Sequence, residues 1–264
     1  MNQITDQILS LLPVLISLAA MILLLVRYQK LNQNHHYFLM IVFGLLTFSY
    51  LYSFIYCQKM YGEAAILFPL RQPVNLLLVP FSSIFGYYLF VNDSNRQKHI
   101  YLHAIPAILV FIGFLPFWFL SPDVQTDYLS VSITDYDKYP TLEKIELLRQ
   151  ISIYAIFNVQ LLVYNIVLIL KFIKFDKTHA SHVHSYPGGP ETAINLVFYT
   201  FLLVLINNAY FLGVSVLISS RIFFNIISAA ILIMLFVTGY TRKSSITASI
   251  PVEEESDLES EQND

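Results

Sequence analysis

Charge is scarce in this chain. Lys, Arg, Asp and Glu make up 12% of its 264 residues, while 56% are hydrophobic and the mean hydropathy is +0.60. Soluble domains carry about 25% charged residues, so water is the wrong solvent for most of this sequence. Cysteine is almost absent. The single Cys57 excludes an intrachain disulfide. No segment has the spacing of a catalytic motif, and no helix pattern offers a set of metal ligands, so no catalytic residue, metal or cofactor is expected. Met1–Gln7 contains Asp6 and neither Lys nor Arg, and no small-residue cleavage pattern follows the first apolar run. A cleavable signal peptide is therefore not expected.

Long apolar runs are what the chain has in abundance. Seven can be read, at roughly 8–27, 36–56, 72–92, 100–121, 149–173, 193–218 and 222–241, each near the length of about 20 residues that crosses a bilayer. The predicted fold class is all-α, a multi-spanning membrane bundle of seven transmembrane helices. One domain is expected over 1–241, with an outer loop over about 122–148. Residues 242–264 form a tail that is acidic after Pro251, holding seven of the 18 acids between Glu253 and Asp264. Such a composition predicts disorder and repulsion from nucleic acid and from the anionic inner leaflet.

Basic residues set the expected orientation. Arg27, Lys30, Arg96, Lys98, Lys171, Lys174, Lys177, Arg242 and Lys243 flank spans on one side. The other side holds Lys59, Arg71, Lys138, Lys144, Arg149 and Arg221. The nine cluster at helix ends, where the positive-inside bias acts. The N-terminus is expected outside and the C-terminus in the cytoplasm.

Tyr50, Tyr52 and Tyr56 gather near one end of the second run, where amphipathic rings suit the headgroup zone. Pro69 and Pro73 are expected to break the helix just before the third run. Pro80, Pro106 and Pro116 predict kinks inside spans. On these boundaries no Asp, Glu, Lys or Arg lies mid-span. That argues against an ion-coupled carrier or an intramembrane protease, which need ionisable groups at depth.

The polar groups at depth are amides: Asn158, Gln160, Asn165, Asn207, Asn208 and Asn225. Asn158 and Asn165 are seven apart and share a helix face. They are read either as interhelical hydrogen bonds holding the last spans together or as one wall of a ligand pocket. The outer loop carries six acids and three tyrosines, Tyr128, Tyr136 and Tyr139. Its length suits a ligand-sensing cap as well as a plain connector. Leu142, Ile145 and Leu148 recur every three residues, which predicts a helix leading into the fifth span, with Thr141 as a possible cap. All seven histidines fall on the expected inner side. His179, His182 and His184 match no firm metal-site spacing and lie in a Pro-Gly-rich loop.

The stretches LFPLRQPVNLLLVPFSSIFGYYLFV and YLHAIPAILVFIGFLPFWFLS resemble the seven-helix sensor region at the N-terminus of bacterial AraC-type membrane regulators. The similar features are Pro80 followed by Tyr87 and Tyr88, His103 with Pro106, and Leu115-Pro116-Phe117. Gln160 and Tyr164 ahead of KFIK also fit. The resemblance covers about residues 65–175. It implies a membrane sensor region. Members of that family continue into a DNA-binding pair of helix-turn-helix motifs. Here about 23 residues follow the seventh run and they lack a basic recognition helix, so no nucleic-acid partner is expected.

The expectation is therefore a non-enzymatic sensor or signalling component of the bacterial cytoplasmic membrane. Its partners would be the lipid bilayer, a small-molecule ligand and a cytoplasmic signalling protein. The candidate ligand-binding residues are Tyr128, Tyr136, Tyr139, Asn158 and Asn165. The main rival is a transport protein for a neutral solute, or an accessory subunit of a membrane complex. Internal repeats, common in transporters, are not evident between spans 1–3 and 5–7.

Overall fold

The computed structural model describes residues 3–31, 34–88, 101–130, 139–179 and 221–241, and these contain helices and turns with no strand. Helix α1 spans Gln3–Leu31, α2 Asn34–Cys57 and α3 Tyr61–Tyr88. Helix α4, Ile105–Phe114, tightens into a 3-10 turn over Leu115–Phe119. Two short helices follow, α5 (Pro122–Leu129) and α6 (Pro140–Gln150). Helix α6 runs through a π-helical stretch, Ile151–Phe157, into α7, Asn158–His179. Helix α8 covers Arg221–Thr241.

Five helical runs are long and apolar enough to cross a bilayer: Ile8–Leu31, Asn34–Cys57, Tyr61–Gly86, Tyr101–Phe119 and Pro140–Leu170. A shorter apolar helix, Asn225–Tyr240, lies where the seventh was expected. These runs mark the chain as a helical membrane protein. The expected sixth span, 193–218, and the tail, 242–264, lie outside the described residues.

Two boundaries differ from the sequence expectation. The third span starts at Tyr61 rather than near 72, because Pro69 and Pro73 do not end the helix. A proline removes one backbone donor and disturbs the turn before it, a loss that neighbouring groups can offset inside a packed bundle. Here the Trp118 indole donates to the Ile66 carbonyl at 3.0 Å, one turn before Pro69. The Phe68 ring meanwhile packs edge-on against Phe114 and tilted against Phe117, with centroids 5.6 and 4.6 Å away. The fifth span starts at Pro140 rather than near 149, since α6 is continuous with α7 through the π stretch. Pro106 sits in the first turn of α4, where its missing N–H costs nothing. Pro116 falls in the 3-10 segment.

The expected helix carrying Leu142, Ile145 and Leu148 is α6. Leu142 and Ile145 are buried and Leu148 packs against the core. Thr141 does not cap it. Tyr139 stands at the cap position with no side-chain cap bond, and Pro140 opens the first turn. The α2–α3 turn closes through Met60 N–H to Ile55 O (3.2 Å) and Lys59 N–H to Tyr56 O (3.0 Å). Those two bonds define a Schellman ending, whose C′ residue is usually Gly. Lys59 takes that place at φ 61°, a left-handed conformation that costs a side-chain-bearing residue about 1–2 kcal/mol.

Helix α3 is the centre of the molecule. It packs against α2, α4, α5 and α7, while α8 closes against α1 and α2. Of α3's apolar stretch 67% is buried, against 22–39% for the other four spans. Outward faces are apolar, as lipid requires: Ile108, Leu109 and Ile112 on α4 and Leu162, Val163 and Ile166 on α7 are exposed. Close approach of α8 to α2 depends on Gly239. A Cβ there would overlap the Leu39 side chain and press on Phe85.

Candidate functional site

Arg71 lies within α3, about 15 Å along the helix from Tyr61 at 1.5 Å per residue. It is only 6% exposed. The expectation that no charged residue sits within a span is thereby corrected. A guanidinium is costly to bury and, where it occurs in a spanning helix, marks a functional site by default. Its head is accommodated by an aromatic neighbour. The guanidinium carbon stands 4.9 Å from the centroid of the Tyr52 ring, a cation–π contact, and Arg71 also hydrogen-bonds the Tyr52 side chain.

The tyrosines expected in the headgroup belt instead serve this interior. Tyr50 and Tyr52 are buried, Tyr52 almost completely. The Tyr56 hydroxyl donates to the Leu129 carbonyl at 3.1 Å and ties α2 to the end of α5. One turn further along α3, Asn75 accepts a hydrogen bond from Ser49 Oγ at 3.1 Å. Gln72 is also buried, and its amide nitrogen meets no acceptor among the described residues. Arg71, Gln72 and Asn75 thus form a polar patch on the most buried helix.

A second group from α5 and α6 adjoins it. The Tyr128 hydroxyl donates to Glu146 Oε2 at 2.7 Å. Arg149 grips the same carboxylate with both prongs, Nε to Oε2 at 2.8 Å and Nη2 to Oε1 at 2.6 Å. Gln150 adds a fourth donor at 3.0 Å. Bidentate pairing of this kind fixes geometry as well as charge. Tyr52, Tyr56, Arg71 and Arg149 lie close enough to one another to interact electrostatically. Two arginines, Glu146 and three tyrosines therefore occupy one neighbourhood, in the half of the bundle nearer the turn from α2 into α3.

The opposite end has its own polar contacts. Arg27 Nε donates to His36 Nε2 at 3.0 Å, and its guanidinium lies 4.2 Å from the Tyr240 ring centroid. The bond requires His36 to present a bare ring nitrogen. The His35 ring lies tilted against His36 with centroids 4.1 Å apart, and Phe38 stacks flat on Tyr88 at 4.9 Å. His103 and Tyr164 share a hydrogen bond between the fourth and fifth spans.

Of the residues singled out from sequence, Tyr128 joins the cluster and is buried rather than open to solvent. Tyr139 is exposed at the start of α6. Tyr136 lies outside the described residues. Asn158 donates to Tyr154 O at 2.9 Å and Asn165 to Leu161 O at 2.8 Å, each within its own helix. These two amides are therefore spent on local backbone and do not bridge helices through those donors. Gln160, by contrast, is buried and its Oε1 meets no donor among the described residues. No group of three or more His, Cys, Asp or Glu able to hold a metal occurs among the described residues.

Arg71 was missed because the third span was drawn too short, and Arg149 because it stood at the outer edge of the fifth as drawn. The signal was present: Ala64–Leu70 is apolar and precedes Arg71 directly, so the apolar run begins before the arginine and not after it. No family model, curated protein or solved structure matches this chain.

Proposed function

We propose that the chain is a non-enzymatic sensor or signalling component of a bacterial cytoplasmic membrane, built from seven spans with the N-terminus outside and the C-terminus in the cytoplasm. The observation that carries this reading is α3. This most buried helix holds Arg71 within the cluster at one end and packs Tyr88 against Phe38 at the other. It contains Pro69, Pro73 and Pro80, the residues at which helices bend. A ligand that favours one bend of α3 over another would bias both ends together, provided its affinity differs between the two arrangements. The similarity of residues 65–175 to the sensor region of AraC-type membrane regulators points the same way.

The orientation rests on the basic residues beside span ends. A reporter active only in the cytoplasm should give signal when fused after Asp264 and none when inserted after Tyr139. The reverse pattern would overturn the assigned sides.

The rival reading was drawn for a neutral solute; with Arg71 buried in a span it becomes a carrier for a charged one, since such carriers place ionisable groups at depth. The two separate in the cell. Under the sensor reading, deleting the gene changes transcript levels of a discrete gene set, a plasmid copy restores them, and vesicles containing the purified protein move no solute. Unchanged transcripts together with solute flux would replace the sensor with the carrier.

A further inference from the structure

We infer that the π-helical stretch Ile151–Phe157 is a register device: it stores one surplus residue between α6 and α7 and can pass that surplus one turn further into α7. It serves a sensor and a carrier alike and rests on neither reading. Three observations carry it. The first is the bonding at Asn158, where the stretch ends. Its backbone N–H donates to Ala155 O, three residues back. Its side-chain amide donates to Tyr154 O, four back, at 2.9 Å and approaches Ile153 O, five back, at 3.4 Å. Those two carbonyls are the acceptors that an α-helical and a π-helical N–H of residue 158 would use. One side chain therefore serves both registers and can follow a change from one to the other.

The second observation is where Asn158 lies. It is exposed near the middle of the span Pro140–Leu170, beside the exposed Val159, Leu162 and Val163. An amide on a lipid-facing surface is costly unless its donors are taken, and the bond to Tyr154 O takes one. The third is the outward pattern. The pairs 154–155, 158–159, 162–163 and 166–167 are all exposed, a repeat of four residues. A regular α-helix repeats every 3.6, so these three repeats hold about one residue more than three α turns. The repeat runs on past Phe157, so it fits the surplus in more than one turn. Both sides of the stretch are anchored. Ser152 Oγ donates to Leu148 O at 2.6 Å, and α6 is held by the bonds of Tyr128 and Arg149 to Glu146. Helix α7 is held by the bond between Tyr164 and His103. Moving the surplus leaves both anchors in place and turns only the residues passed, each by about 100°. The device thereby sets which side chains between 154 and 161 face the bundle.

The test is amide hydrogen exchange and thermal unfolding of the full chain in nanodiscs. In the unaltered chain, amides 151–158 should exchange roughly 10-fold faster than those of α4, because register change opens them. Deleting Ala155, which is exposed, removes the surplus, so the stretch becomes regular α-helix with its flanks in phase. Exchange there should slow by roughly 10-fold while Tm holds. Deleting Val163, exposed in the regular part of α7, turns everything beyond it by about 100° and should lower Tm. Asn158→Leu keeps the size and removes the amide. It should quicken exchange over 151–158 by roughly 10-fold and leave α4 unchanged. A loss of fold on deleting Ala155 that equals the loss on deleting Val163 would mean that packing fixes the extra residue in place, and would overturn the device. So would a stretch that exchanges no faster than α4 in the unaltered chain, or one indifferent to Asn158→Leu.

Discussion

Glu146→Ala should lower the stability of the bundle in detergent by about 2–4 kcal/mol, a sizeable share of the roughly 5–15 kcal/mol that separates a folded domain from its unfolded state. The carboxylate accepts from Tyr128, from both prongs of Arg149 and from Gln150. Each hydrogen bond to a charged group contributes about 1.5–3 kcal/mol where buried. The side chain is 19% exposed and that of Arg149 31%, so solvent screening brings the sum well below four such terms. Its loss also leaves the Arg149 guanidinium without its carboxylate and cuts the Tyr128 link between α5 and α6. Arg149→Ala alone should cost less, because Tyr128 and Gln150 still donate to Glu146. The double variant should be less destabilised than the two single losses added, with a coupling of about 1–2 kcal/mol. Additive losses in thermal or denaturant unfolding would mean that the pair is a surface decoration and α6 is held by its leucines alone.

Gly239→Val should be comparably harmful, for a steric reason. Its added Cβ would overlap Leu39, which is fully buried, and Phe85 stands directly behind. Neither side chain has free space to move into, so the interface between α8 and α2 must open. Overpacking of this kind costs about 1–3 kcal/mol and sometimes more. Glycines let spanning helices approach closely, and substitution removes that contact along the whole crossing. Leu39→Ala should clear the clash. The double variant should then unfold no earlier than Leu39→Ala by itself. If Gly239→Val behaves like the unaltered protein, α8 does not pack on α2 as described.

The helical class was legible because apolar length is a one-dimensional quantity. Ile8–Leu31 and Asn34–Cys57 lie close to where hydropathy put them. The helix leading into the fifth span was legible from the spacing of Leu142, Ile145 and Leu148. The site was not. Reading Pro69 and Pro73 as breakers applied a rule of water-exposed helices to a segment whose neighbours stabilise it, and this moved Arg71 out of the span. The same error hid the role of Tyr52, since its ring was assigned to the headgroup zone when it stacks on that arginine. The amides misled in the opposite direction. Asn158 and Asn165 share a face as their spacing required, yet each satisfies its donor on the preceding turn, an option that sequence spacing does not reveal. Tyr128 was found for its place in a long loop, whereas its partner Glu146 looked like an ordinary acid on a solvated helix.

The bond between Arg27 and His36 seals α1 to α2, and Tyr240 of α8 then covers the same guanidinium. These partners leave the ribosome at very different times. The α1–α2 pair can form early in synthesis, while the aromatic cover over Arg27 has to wait until α8 has been made and inserted. A chain stalled before that point would hold the arginine through His36 alone, without the aromatic cover of Tyr240.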